Sequence, residues 1–377
     1  MGTEQGLFRS FCRVRKDFVS REANEREPVR EDSKEKPYLC YRIKKGETMR
    51  KSLLIGLCMA LAGAVWAGCI GTGRTGRDGG AAVEQPSKVY FTKSITPEAL
   101  VKLYKALGRP VAGKVAVKLS TGEPGGHHFL QPALIAPLVK EVDGTIVECN
   151  TAYGGGRAHT EAHLKAAADH GFTAIAPVDI MDAEGDSALP VRGGRHLQED
   201  FVGSHYLNYD FTVVLSHFKG HAMGGFGGAI KNISIGIASS KGKAWIHSAG
   251  KTRNAQEMWK KLPAQDDFLE SMAEAAKAVT DHCGDRILYI NVMNNLSVDC
   301  DCDAHPQAPK MGDVGVLASL DPVALDEACV KLVYASSDPG KVHLIERMES
   351  RHGIHTLEHA EAIGVGSRKY ELISLDK

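Results

Sequence analysis

Short apolar runs alternating with helical stretches, from Val89 almost to the C-terminus, constrain this 377-residue chain more than any other feature. Residues 89–91, 114–119 (KVAVKL), 145–149, 174–180, 211–216 and 286–292 read as strands that are apolar on both faces. Helices are expected between and after them, over 97–107, 132–142, 158–170, 267–283, 322–334 and 356–363. Thr96-Pro97-Glu98 supplies an N-cap, a proline at the first helical position and an acidic first turn, and Gly171 closes the helix before it. This rhythm predicts repeated βαβ units, and hence an α/β fold of mostly parallel sheet covered by helices, in two interleaved lobes. Residues 182–206 break the rhythm, being polar and Gly-rich with short strands near 189–191.

Upstream of the pattern the chain changes character. Residues 1–48 hold 12 Lys/Arg and 9 Asp/Glu and carry no periodicity, so they cannot bury enough surface to fold. Met49-Arg50-Lys51, the 13-residue apolar run 53–65 and the small residues Ala67 and Gly68 then follow in the order of a bacterial export signal. The run is too short for an ordinary transmembrane helix. A signal has no use for 48 polar residues before it, so translation is expected to begin at Met49, with residues 1–48 either untranslated or a disordered extension. Residues 49–68 form the signal peptide, 69–87 a flexible tether and 88–377 the folded domain. Two cleavages fit. Ala67-Gly68-Cys69 resembles a lipobox that would lipidate Cys69, with Trp66 where Leu is usual; cleavage after Ala67 is the alternative. The Gly-rich residues 71–80 suit a tether that carries an anchored domain clear of a membrane. The expected location is therefore the bacterial periplasm, free or lipid-anchored, with no membrane contact except through that anchor.

Formal charge balances at 46 Lys+Arg against 46 Asp+Glu, which gives no basic surplus for nucleic acid. Beyond residue 68 the count is 32 basic against 37 acidic, a mildly acidic domain. All 16 histidines lie there, which tilts the chain towards metal or proton chemistry. Besides Cys69, that part keeps only Cys149, Cys283, Cys300, Cys302 and Cys329, too few and too scattered for a disulfide framework.

The residues that could carry chemistry cluster after strand ends, where open parallel sheets bind ligands. After 211–216 come His217, Lys219 and His221, then Gly225, Gly227, Gly228, Lys231 and Asn232. The His217–His221 spacing would put both rings on one face of a helical turn as metal ligands. The glycines allow backbone amides to approach an anion, and Lys231, at the start of an expected helix, adds positive charge. A solvated Gly-rich connection is the competing account. Asp299-Cys300-Asp301-Cys302-Asp303 follows the strand 286–292; its two thiolates could complete a four-coordinate site with His217, His221 or His247. Cys-x-Cys alone also fits an oxidised pair or an exposed loop. Lys118, Glu123 and Arg157 follow two other strand ends as ligand-binding candidates, and Lys118 and Arg157 could clamp an anionic substrate. Ser319 or Asp321 caps the helix opened by Pro322.

Taken in order, KLSTGEPGG, VVLSHFKGHAMGGFGGAIKNISIGIAS, GKAWIHS, CDCDAH and DVGVLASLDPVALDEA resemble the domain-of-unknown-function 362 family, whose members are often labelled uncharacterised iron–sulfur centre proteins. Family members commonly insert a Cys-rich ferredoxin-like segment after the stretch matching 243–251. Here residues 252–265 contain no cysteine, which argues against a ferredoxin-type cluster. The resemblance implies a ligand or metal pocket at His217, Lys219, His221, Lys231, Asn232, His247, Cys300 and Cys302, and no established reaction; within it Lys219 and Lys231 are the catalytic candidates. The expected cofactor is a transition metal, zinc or iron, and the expected partner a small anion. A non-catalytic envelope carrier of a metal or cofactor is the alternative to an enzyme. The sequence leaves the oligomeric state open.

Overall fold

The computed structural model describes residues 85–376, Ala304 excepted. The expected upstream extension, the signal peptide, Cys69 and nearly all of the tether lie outside the described residues.

In chain order the strands are β1 (Ser87–Thr92), β2 (Val115–Lys118), β3 (Gly144–Glu148), β4 (Val178–Ile180), β5 (Asp186–Pro190), β6 (Glu199–Gly203), β7 (Phe211–His217), β8 (Lys219–His221), β9 (Gly225–Gly227), β10 (Ile287–Met293), β11 (Gly315–Ser319) and β12 (Tyr370–Ser374). The helices are α1 (Pro97–Ala106), α2 (Pro132–Glu141), α3 (Thr160–Asp169), α4 (Ala229–Ile233), α5 (Ser240–His247), α6 (Ala255–Met258), α7 (Gln265–Cys283), α8 (Pro322–Ala335), α9 (Lys341–Ser350) and α10 (His355–Ala362).

Eight strands form one sheet in the order β12-β1-β11-β10-β7-β2-β3-β4. The β10–β7, β7–β2, β2–β3, β3–β4 and β1–β12 pairs are parallel. β11 runs antiparallel to both β10 and β1, because the chain returns from β10 through loop 294–314 without a crossover helix. The mostly parallel sheet covered by helices is therefore as the sequence predicts. In place of two interleaved lobes, the described residues have one main sheet with an apolar core on each face. Val115, Val117, Val213, Leu215 and Ile290 pack with Leu100, Leu103, Ile135 and Leu138 of α1 and α2. The alternate residues Ala116, Val214 and Tyr289 pack with Phe268, Leu269, Ala324 and Leu325 of α7 and α8. This is the period-two division of a strand buried on both sides.

Helix starts follow the expected chemistry. Thr96 Oγ1 accepts from the Ala99 amide, and Asp321 accepts from Val323 and Ala324 ahead of Pro322. The polar segment 182–206 supplies the separate β5–β6 hairpin. No helix among the described residues is long and apolar enough to cross a membrane.

Candidate metal and anion site

Parallel pairing brings the carboxyl ends of β2, β3, β7 and β10 to one edge, with Lys118 level with Val147 and Val214, and His217 level with Val292. The loops after these strands, with α4 and α5, enclose a cavity of about 100 Å³. Five basic side chains line it (Lys118, Arg157, Lys219, Lys231 and Lys243) against two acidic ones, Glu148 and Asp301. His217, His221, His247, Asn232, Gly227, Gly228, Cys300 and Cys302 complete most of the wall. Of the residues singled out in the sequence, Glu123 and Gly225 stay off it.

Most of the charge is internally compensated. Glu148 accepts from the Thr121 amide at 2.7 Å and from Arg157 at 2.9 Å, and lies 3.5 Å from the Lys118 amine. Burial alone would raise its pKa, but Lys118 and Arg157 hold the carboxyl well below the usual range. Glu123 serves as a counter-ion behind the wall, accepting from Arg157 Nε at 3.1 Å and from the Gly156 amide at 3.0 Å. Lys118 donates to Leu119 O and to Asn232 Oδ1, while Asn232 Nδ2 donates to Lys118 O, Leu215 O and Ser216 Oγ. Asn232 thus ties α4 to β2 and β7 with every donor and acceptor it has. Lys243, which sequence reading passed over, spends its amine on Ala238 O at 2.6 Å, with Cys149 O at 3.5 Å.

Asp301, between the two cysteines, is the second ionic centre. It accepts from Lys219 at 2.7 Å and from His217 Nδ1 at 3.0 Å, and these two partners outweigh burial to keep it ionised. His217 Nε2 meets Asn294 O at 2.6 Å. Both ring nitrogens thus face oxygen partners, and His217 is not among the residues whose ligand atoms converge, so the metal role assigned to it from the sequence falls to other side chains. Nor do His217 and His221 share a helical turn: they sit on extended backbone, His221 in the hairpin formed by β8 and β9.

His221, Cys300 and Cys302 do converge, each offering a ligand atom within 4.8 Å of the others. The two sulfurs are joined in a disulfide. Opened by reduction, the pair would present two thiolates beside an imidazole. His221 Nδ1 accepts from the Gly224 amide at 2.8 Å, and burial holds the ring well below the usual histidine pKa, so its proton sits on Nε2. A metal at His221 must displace either that proton or the Gly224 amide. His247 donates Nδ1–H to Lys243 O at 2.7 Å, and burial lowers its pKa to about 4, leaving Nε2 as a neutral lone pair on the cavity wall.

Lys231 is the exception to all this pairing. Among the described residues its amine meets no hydrogen-bonding or ionic partner, and burial, against the pull of Asp301, lowers its pKa to about 8. Its stem lies opposite Gly227, where an added Cβ would come within 3.0 Å of it. The other glycines answer to the fold. Gly228 makes room for Asp326, whose oxygens accept from the Ala229 and Ile230 amides, and Gly225 takes a positive φ of 79° against the backbone of Met348 and Gly353.

Sequence reading missed Glu148, Cys149 and Lys243 as lining residues. Glu148 ends a strand that it had identified, and Lys243 stands one turn before His247, so position relative to strand ends and helix phase could have found both.

The family described as domain of unknown function (DUF362) matches residues 115–331, more than half of the chain. The chain belongs to this family. No curated protein matches it. Among solved structures, the lactate racemase apoprotein from Thermoanaerobacterium thermosaccharolyticum is 18% identical, with TM-score 0.33 over 55% of this chain and 50% of that one. A structural-genomics target from Thermotoga maritima is 14% identical, with TM-score 0.33 over 71% of this chain and 58% of that one. The chain thus spans about half the length of the racemase apoprotein.

Proposed function

We propose that this protein binds a transition metal at His221, Cys300 and Cys302 and uses it, in the same cavity, in redox or metal-assisted chemistry on a small anion. The observation that carries the reading is the convergence of three soft and borderline ligand atoms within 4.8 Å on a wall that also presents the unpaired Lys231 amine. Two thiolates and an imidazole suit zinc or iron and leave a coordination position open for substrate. Lys231 holds the anion by charge and, near its pKa of about 8, exchanges a proton with it. Lys219 and Asp301 position His217, and Arg157, Glu148 and Lys118 keep the opposite wall rigid.

Oxidation to the observed disulfide removes two of the three ligands, and this favours a second reading in which Cys300 and Cys302 cycle between dithiol and disulfide. A closed metal shell would instead make the protein a carrier. The resemblance of residues 49–68 to an export signal and the Gly-rich stretch after Cys69 support work outside the cytoplasm, free or anchored through a lipid on Cys69.

Elemental analysis after anaerobic purification tests the metal reading. The reduced protein is expected to hold close to one equivalent of zinc or iron, lost in the Cys300→Ser/Cys302→Ser variant. Equal metal content in both, or none in either, would leave only the anion cavity.

A further inference from the structure

A second cluster of metal-ligating side chains lies at a different place, where the first turns of α7 meet the turn entering α10. Asp266, His352 and His355 each bring one ligand atom within 4.8 Å of the other two. Asp266 Oδ1 and His352 Nδ1 are 2.7 Å apart, and the His352 and His355 rings stack with centroids 5.1 Å apart at 13°. His352 and His355 lie beyond the span matched by the family, so nothing in that match bears on them.

The surroundings hold this geometry. Gln265 Nε2, one residue before Asp266, donates to Arg351 O, one residue before His352, and to Met223 O. His352 itself has φ of +50°, unusual for a residue with a side chain. His355 is steadied from behind, its Nε2 at 3.1 Å from Glu270 Oε1, and Glu270 is itself held by Arg195 at 2.9 Å and His196 at 2.7 Å. The other nitrogen of His355, Nδ1, is 3.4 Å from the exposed Glu358 carboxylate, which an entering ion would draw aside or share, while the buried Glu270 backing the ring is the outer-shell support that ligating histidines usually have.

We propose that Asp266, His352 and His355 form a second divalent-metal site, selecting a borderline cation of the zinc class. Two imidazoles and one carboxylate, with no sulfur, suit such an ion and leave at least one position for water.

The test uses the full chain carrying Cys300→Ser/Cys302→Ser, which takes the thiols out of the first site. Co²⁺ binding is measured by equilibrium dialysis with elemental analysis, in this protein and in the same protein carrying His352→Ala/His355→Ala. The proposal expects one fewer equivalent bound in the histidine variant, with an unchanged far-UV circular dichroism spectrum. Glu270→Gln should weaken binding by about 10–100-fold, the usual cost of losing an outer-shell partner. Equal Co²⁺ stoichiometry and affinity with and without the two histidines would overturn the site; unchanged affinity in Glu270→Gln would remove Glu270 from it.

Discussion

Lys231 is the residue on which the cavity's behaviour turns, because every other basic side chain there already has an oxygen partner. Its ammonium is the form that holds an anion, and its pKa of about 8 puts the loss of that form within reach of mild alkali. Affinity for a small anion is therefore expected to fall above pH 8, and Lys231→Met to lose about 10–100-fold at pH 7, the worth of one charge-assisted hydrogen bond. Calorimetric titration with oxalate across pH 6–10 would check both. The sign for stability is opposite. An unfolded lysine titrates near 10.4, so between about pH 8 and 10.4 the unfolded chain binds more protons and stability rises with pH. Lys231→Met should flatten that rise in a series of thermal melts. Asp301 makes a different claim: Asp301→Asn leaves Lys219 and His217 facing a neutral amide in a buried site. A loss of about 3–5 kcal/mol in urea denaturation is expected. The sequence displayed Asp299, Asp301 and Asp303 as one alternating run, yet only Asp301 enters the cavity. Asp299 pairs with Arg347 and Asp303 accepts from the His305 amide, a division set by loop conformation that residue spacing does not carry.

At the scale of elements, legibility followed periodicity. β2, β7, β10, α1, α7 and α8 were readable because buried strands and capped amphipathic helices advertise themselves over several residues. The β8–β9 hairpin was not, because each strand is three residues long and its stability comes from close backbone approach. An added Cβ on Gly220 would stand 2.4 Å from Val298 O. A His-x-x-x-His spacing fits a helical turn equally well, and only tertiary packing decides against it. Gly228 offers a test of this kind of packing: Gly228→Ala would put a methyl 2.3 Å from Asp326 Oδ1, disturb the carboxylate that caps α4, and cost about 1–3 kcal/mol by chemical denaturation. β6 carries a liability of its own. Asp200 is fully buried, neither of its oxygens has a hydrogen-bond partner among the described residues, and burial raises its pKa to about 8. That raised value is a contribution to stability that is complete below about pH 4 and lost as pH rises through 8. Asp200→Asn removes the titration. It should therefore raise stability increasingly between pH 5 and 8, by about 1–3 kcal/mol at the upper end, read as a growing shift of the melting temperature.

For the whole molecule, the α/β architecture and the sheet edge that carries the site were both foreseeable, since parallel strands place their carboxyl ends together whatever the loops contain. Which loop residues face inward was not foreseeable, and this is where His217 changed from expected ligand to a partner of Asp301 and Asn294. Charge shows the same division between scales. The part of the chain beyond residue 68 is acidic by five charges, whereas the cavity wall carries three more basic than acidic side chains. An anion drawn into it leaves a surface of its own sign for a pocket of the opposite one. The central claim is that this anion and a metal on His221, Cys300 and Cys302 share the cavity. It is tested most directly by loading the reduced protein with Co²⁺ and following the thiolate-to-cobalt absorption as oxalate is added. The account predicts a band that oxalate shifts in the parent protein, and a band that persists but no longer responds in Lys231→Met. An equal response to oxalate in Lys231→Met, or no response in either protein, would contradict it.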